Sequence, residues 1–452
     1  MKYLSLLIVA ILMVSVSCKN EKAPAKPKLT SLEKYSDSLF GASIDSSKIA
    51  GSSIIVFQKG ETILKKTYGL ASLELNTPMP SNANFEIGSV TKQFTGAAIL
   101  KLVEEGKLSL EDDFTKYMYY DTKGKKVTIN NLLNHTSGIV GYTEMQEFGS
   151  LVPQDLPRDS LVRIVEKKDF QFEPGEALIY NNSAYFFLGI IIEKVSGKTY
   201  EDYLKETLFE PLGMKNTYYC SNSNVVPNKV NGYNFSPNGL MQKPYLNHKW
   251  PYAAGSLCST AEDLLIWMDA IHNQKILTKT QYEELVTPKT LNNGIQVRYA
   301  MGLSNYLNYG HQEISHGGGI PGFLSDTRYF PEQDLYIICL VNTIGPHGAG
   351  FFTENIIWTL LDKIEYEGVN LDFDPLEVVG TYSGQTRGRM QSVQVRAIED
   401  TVTLEYNNDG KIDTLNTYMG NRTWMDGNTK IQIANGILVN DNIYGHYILK
   451  KD

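Results

Sequence analysis

Ser89-Val-Thr-Lys92 opens a run, residues 90–105, in which Val90, Phe94, Ala97, Ala98, Leu100, Leu102 and Val103 surround most of a helical wheel. That pattern predicts a helix buried on nearly every side and ended near Gly106. Spacing of i, i+3 puts the Ser89 hydroxyl and the Lys92 amine on one face, within hydrogen-bond reach. A lysine held in an apolar wall loses pKa because desolvation disfavours its charge, so it can accept the serine proton. The helix N-terminus adds partial positive charge that favours an alkoxide-like oxygen. Four residues therefore supply a nucleophile and its base. The pattern alone is weak, since Ser31-Leu-Glu-Lys34 repeats it in a polar segment and a serine at a helix start is often only a cap.

Two further elements raise its weight. Tyr180-Asn-Asn182 follows Glu173-Pro174-Gly175, a turn able to aim it at a cleft. A phenol near a cation can be partly ionised and relay a proton, while an amide orients substrate. Tyr-x-Asn is common in this chain, recurring at Tyr245, Tyr306 and Tyr406. His316-Gly-Gly318-Gly319 is scarcer, being the only His-x-Gly present. Its glycines let backbone pass close to a substrate and turn N–H groups towards a developing oxyanion. His135, in Asn134-His-Thr-Ser-Gly138, suits a structural turn near the cleft and stays outside the catalytic set.

Around these motifs the pattern alternates between strand and helix. Gly51-Ser-Ser-Ile-Ile-Val-Phe57, a Lys59-Gly60 turn and residues 61–68 predict a hairpin; residues 326–330 and 335–341 predict a second, behind the His316 glycines. Helical runs cover residues 184–195 and 261–271. Beyond about Gly368, Val393, Val395 and Ala397, then Val402, Leu404 and Tyr406, alternate with polar residues, which predicts a small antiparallel β domain. At 452 residues, with 42% hydrophobic and 20% charged, the chain can bury a sizeable core. A net charge of −8 without any basic run argues against nucleic acid as a partner.

The N-terminus reads as a leader. An apolar stretch, residues 4–16, ends at Ser15-Val16-Ser17-Cys18, the form of a secretory signal over residues 1–17. Cys18 stands where bacterial lipoproteins carry their lipid, and the segment resembles such a signal, with Ser15 where leucine is common. Residues 18–31 suit an extended tether. The expectation is an exported protein, periplasmic or at the cell surface, with Cys18 as its lipid anchor and only contact with a membrane. Cys220, Cys258 and Cys339 show no metal-binding spacing, and a disulfide between two of them is left open.

Taken together, Ser89-x-x-Lys92, Tyr180-x-Asn182 and His316-x-Gly318, in that order, resemble the penicillin-binding-protein and class C β-lactamase superfamily. So do Phe85-Glu-Ile-Gly-Ser-Val-Thr-Lys-Gln-Phe-Thr95, Leu132-Leu-Asn-His-Thr-Ser-Gly138, Pro211-Leu-Gly-Met-Lys-Asn-Thr217 and Ala254-Gly-Ser-Leu-Cys-Ser-Thr-Ala-Glu-Asp263. The resemblance implies an α/β fold: an antiparallel sheet flanked by helices with a mostly helical subdomain over residues 32–366, then a C-terminal antiparallel β domain over residues 372–452. It implies an acyl-enzyme on Ser89, proton transfer shared by Lys92 and Tyr180, and Asn182 holding the substrate amide. His316 would take the place of a third-motif cation, contacting a carboxylate or helping Tyr180. The backbone N–H groups of Ser89 and Gly319 would form the oxyanion hole, with Gly317 and Gly318 against the substrate. Neither metal nor cofactor is implied. The substrates would be D-Ala-type peptides, β-lactams or small esters; the competing reading is an inactive tethered module that binds cell-wall peptides. An α/β-hydrolase is disfavoured because no G-x-S-x-G occurs.

Overall fold

A computed structural model describes residues 31–407 and 409–452. The expected signal segment, the tether before Ser31 and Cys18 lie outside the described residues. Among the described residues the first element is a helix, Ser31–Asp45, so Ser31 and Lys34 belong to its first turns.

Leu335–Val341 is apolar at every position because it is buried on both faces. Leu335, Ile337, Cys339 and Val341 join Phe40, Phe352 and Ile356 beneath the helices Ser31–Asp45 and Ala349–Leu360. Tyr336, Ile338 and Leu340 face the larger helical body instead. The period of two thus splits one strand between two cores. Gly51–Gln58 pairs with it antiparallel, placing Ile54 opposite Cys339. The full sheet has seven strands in the order Ser304–Asn308, His311–Ile320, Phe323–Phe330, Leu335–Val341, Gly51–Gln58, Glu61–Ser72, Thr77–Pro78. At the first hairpin, Lys59 (φ 49°) and Gly60 (φ 83°) both adopt the left-handed conformation that matches strand twist.

The helix predicted after Ser89 spans Thr91–Glu104, and its side chains from Thr91 to Leu100 are all buried. Phe94 stacks on Trp267 with ring centroids 4.1 Å apart, and each such buried side chain contributes roughly 1.5–3 kcal/mol. Ser89 itself sits one turn earlier, in a 3-10 turn Gly88–Val90. The predicted helices appear as Asn182–Ser196 and Ala261–His272.

The C-terminal β domain is built on a sheet of nine strands from Gly380–Thr386 to Gly445–Lys451, with Val393, Val395, Leu404, Trp424 and Ile433 in its own core. Ile412–Leu415 at one end approaches Thr423–Asp426, the neighbour of the other end strand Thr417–Tyr418, and this curls the sheet towards a barrel. A tenth strand comes from elsewhere: Leu178–Ile179 of the helical body pairs with Gly445–Lys451, Ile179 opposite Gly445. Of the three cysteines among the described residues, Cys220 and Cys258 form a disulfide and Cys339 stays free and buried. No helix among the described residues is long and apolar enough to cross a membrane.

Candidate active site

The turn that carries Ser89 requires glycine. Gly88 holds φ 50°, and a Cβ there would stand 2.9 Å from the Gly319 nitrogen. A Cβ on Gly318 would stand 2.1 Å from the Ile87 carbonyl oxygen and 3.1 Å from the Ser89 nitrogen. The two glycines let the Ser89 turn and the strand His311–Ile320 touch backbone to backbone. Ser325 Oγ donates to the Ile87 carbonyl at 2.7 Å, and Trp267, Gln93, Thr327 and the His316 carbonyl form a hydrogen-bonded chain behind it. The glycine run therefore lies within a strand, His311–Ile320.

Lys92 is fully buried, and its amine meets three oxygens: Asn182 Oδ1 at 2.8 Å, the Ala254 carbonyl at 2.8 Å and Ser89 Oγ at 3.1 Å. Burial drives its pKa well below the ordinary lysine value; the Arg387 charge pushes the same way and Glu144 opposes. A neutral amine has two N–H bonds, which the two acceptor-only oxygens occupy. Its lone pair is then left facing the one neighbour with a proton to give, Ser89.

Tyr180 is placed by the C-terminal domain. Its N–H donates to the Tyr444 carbonyl at 3.1 Å, beyond the end of the added strand. The Glu173-Pro-Gly175 turn exists, with Gly175 at φ 83°, but the backbone of Tyr180 is fixed by this pairing rather than by the turn alone. The phenol is buried and its oxygen has no hydrogen-bond partner among the described residues. Burial pushes its pKa up, against the lowering effects of Ser89 and Arg387. The expectation of a partly ionised phenol is corrected: this is a protonated hydroxyl, a donor. An amine whose charge burial disfavours, beside a phenol whose ionisation burial disfavours, divides base from acid.

The structure corrects one other expected role, that of His316, and adds a second partner role to Asn182. His316 is buried, and burial, helped by Lys92, holds its pKa down to about 3. Its Nδ1 lies 2.6 Å from the Gly317 carbonyl, which only accepts, so Nδ1 carries the hydrogen and Nε2 accepts from Tyr299 Oη at 2.9 Å. Both ring nitrogens serve the protein, so His316 positions the Gly317–Gly319 backbone and is not a cation for substrate. Asn182, first residue of a helix capped by Asn181, accepts from Lys92 and donates to Thr143 Oγ1 at 2.9 Å. It holds the lysine in place, with one donor and one acceptor position left for a ligand. His135 lies at φ 62° beneath Tyr180, ring centroids 4.4 Å apart, as its structural assignment anticipated.

Residues outside the motifs complete the cleft, a cavity of about 410 Å³ lined by Ser89, Tyr180, Asn182, His316, the three glycines, Asp326, Arg387 and Tyr444, among others. Arg387 and Tyr444 come from the C-terminal domain, and no motif marks an arginine in a β turn. A larger cavity of about 1240 Å³, over Tyr219, Cys220 and Tyr245, contains no serine beside a lysine base, so chemistry and not size selects the site. Among the described residues no cluster of histidine, cysteine or carboxylate side chains could hold a metal.

A family model described as Beta-lactamase matches residues 36–356. The chain belongs to the beta-lactamase family. Within that family it is 30% identical over 318 residues to the putative penicillin-binding protein PbpX of Bacillus subtilis, covering 70% of this chain and 75% of that one. It is 28% identical over 314 residues to Protein flp of Staphylococcus aureus, 68% of this chain, and spans only 62% of the length of that relative. Among solved structures it resembles the octameric penicillin-binding protein homologue from Pyrococcus abyssi (TM-score 0.64, 25% identity, 92% of this chain and 99% of that one). The same beta-lactamase fold is found in D-amino acid amidase from Ochrobactrum anthropi (TM-score 0.65, 21% identity, 73% of this chain and 99% of that one).

Proposed function

We propose that this family member is a serine hydrolase that cleaves amide or ester bonds through an acyl-enzyme on Ser89. The observation that carries the reading is the buried Lys92 amine, 3.1 Å from Ser89 Oγ and otherwise in contact only with two acceptors, Asn182 Oδ1 and the Ala254 carbonyl. Ser89 Oγ attacks the carbonyl carbon as its proton passes to Lys92 Nζ. The tetrahedral oxyanion is received by the backbone N–H groups of Ser89 and Gly319, a role supported by the close approach of their two segments. As the bond to the leaving group breaks, Tyr180 Oη gives it a proton and recovers one from Lys92. Water then repeats the sequence on the acyl-enzyme. The substrate class is D-Ala-type peptides, β-lactams or small esters, with peptides and esters favoured because the third motif starts with a histidine that carries no charge.

A fluorophosphonate probe should label the purified protein covalently, and Ser89→Ala should abolish the labelling. A folded wild-type protein that takes up no label, or a Ser89→Ala variant that still does, would sink the assignment. Tyr180→Phe should lower turnover by about 100-fold, the usual scale of lost acid–base help. The check is steady-state kinetics on a short-chain nitrophenyl ester and a D-Ala-D-Ala peptide. A loss below threefold on both would remove the phenol from the proton path.

A further inference from the structure

We propose that Arg387, carried into the cleft by the C-terminal domain, is the specificity-determining residue that receives a substrate carboxylate close to the bond being cut. The proposal deepens the hydrolase reading and rests on it for the direction of the chemistry. Arg387 and Gly388 form the two-residue turn between the strands Gly380–Thr386 and Arg389–Ile398. Gly388 lies at φ 76°, and a Cβ there would stand 2.4 Å from Glu144 Cβ. The hairpin tip is thus pressed onto the loop that carries Glu144, and only glycine permits that contact.

The arginine is wired to the base. Its Nε donates to Glu144 Oε1 at 2.6 Å, and the same oxygen accepts from Thr143 Oγ1 at 2.7 Å. Thr143 in turn accepts from Asn182, which accepts from Lys92. The guanidinium carbon lies 4.9 Å from the Tyr180 ring centroid. Only Nε is spent: among the described residues the two terminal nitrogens make no hydrogen bond, and 39% of the side chain is accessible. A planar fork with two free N–H corners is the geometry that binds a carboxylate through two parallel bonds.

The other charges in the cleft point to the same assignment. Arg328, the second arginine lining it, is consumed by Asp326, Glu313 and Glu354. Burial disfavours charge on Lys92 and on His316. Asp326 and Glu313 line the cavity beyond Tyr444 and repel an anion from that wall. Among the described residues one cationic corner remains in the cleft for an anionic ligand, and a domain outside the motif set supplies it.

Binding to the Ser89→Ala protein tests the proposal without turnover. The probes are N-acetyl-D-alanyl-D-alanine and its C-terminal carboxamide, titrated calorimetrically into the full chain. The free acid should bind at least about 10-fold more tightly than the amide, the scale of a charge-assisted pair. Adding Arg387→Ala should bring the ratio to about one, and Arg387→Lys should keep part of it. Arg387→Gln, long enough to reach Glu144, gives the same reading should the alanine variant fail to fold. Equal binding of acid and amide to Ser89→Ala, including no detectable binding of either, overturns the proposal, as does a preference that survives loss of the arginine. Turnover of the two compounds by the wild-type protein judges the hydrolase reading separately: a carboxylate preference in binding with no turnover keeps the anchor and removes the chemistry.

Discussion

Lys92→Met is expected to slow acylation of Ser89 by a factor on the order of 10⁴, the upper range for removal of a positioned base. Methionine keeps the length and apolar contacts of the side chain in the fully buried wall while deleting the amine. It leaves Asn182 Oδ1 and the Ala254 carbonyl without their donor, a loss of about 1–3 kcal/mol per orphaned group. Removal of a desolvated amine offsets part of this, so the fold should survive. Single-turnover acylation, read beside circular dichroism, separates the two effects; a folded variant within tenfold of wild type would take the base role from Lys92. The pH profile carries the same claim with a sign. Protonated Lys92 cannot accept a proton, so kcat/KM rises with pH through its pKa. Burial, and then Arg387, lower that pKa, which places the rise well below 10.5. Arg387→Gln should move the rise to higher pH. His316, held at about 3, is not its source.

Arg328→Met is expected to destabilise the protein by about 3–5 kcal/mol, the cost of removing one partner from a buried ion cluster. Arg328 reaches Asp326 at 2.8 Å, Glu354 at 2.6 Å and Glu313 at 3.5 Å. Burial opposes its charge, but these carboxylates outweigh burial and hold its pKa far above the usual value. Glu313 is 1% exposed and also holds Tyr306 and Asn308. Without the guanidinium, two buried acids stand unbalanced on adjacent strands of the central sheet. A fall in the thermal midpoint at neutral pH is the readout, and a midpoint within one degree of wild type would show that the cluster contributes nothing net.

The fold was legible wherever a strand or helix reports its own burial. Leu335–Val341 announces a strand covered on both faces, and the wheel after Ser89 announces a buried helix. The same holds for the order of the three motifs, because each is fixed by local backbone: a glycine turn, a capped helix, a glycine-rich strand. Charge states were not legible. Whether His316 is a cation depends on Tyr299, Gly317 and the depth at which the strand lies, all set by tertiary packing. The sequence likewise suggests a partly ionised Tyr180 phenol, because the desolvation that keeps it protonated has no sequence signature. Arg387 and Tyr444 carry no signal of their own in the sequence, because two separate hairpins, each more than two hundred residues after Tyr180, deliver them. Cys220 and Cys258 gave the pieces of a disulfide but not the choice of pair, which the antiparallel strand Leu257–Ser259 makes.

The strand that fixes Tyr180 is synthesised roughly 265 residues after it, since Ile179 pairs with Gly445. At about 5–20 residues per second of translation, the helical body waits on the order of ten to fifty seconds for that partner. During that interval a nascent chain has its nucleophile but not the hydrogen bond that sets the phenol. A chain that stalls, or is clipped between the domains by a protease, stays in the same condition. Placement of that phenol thus waits for the strand Gly445–Lys451 to be made.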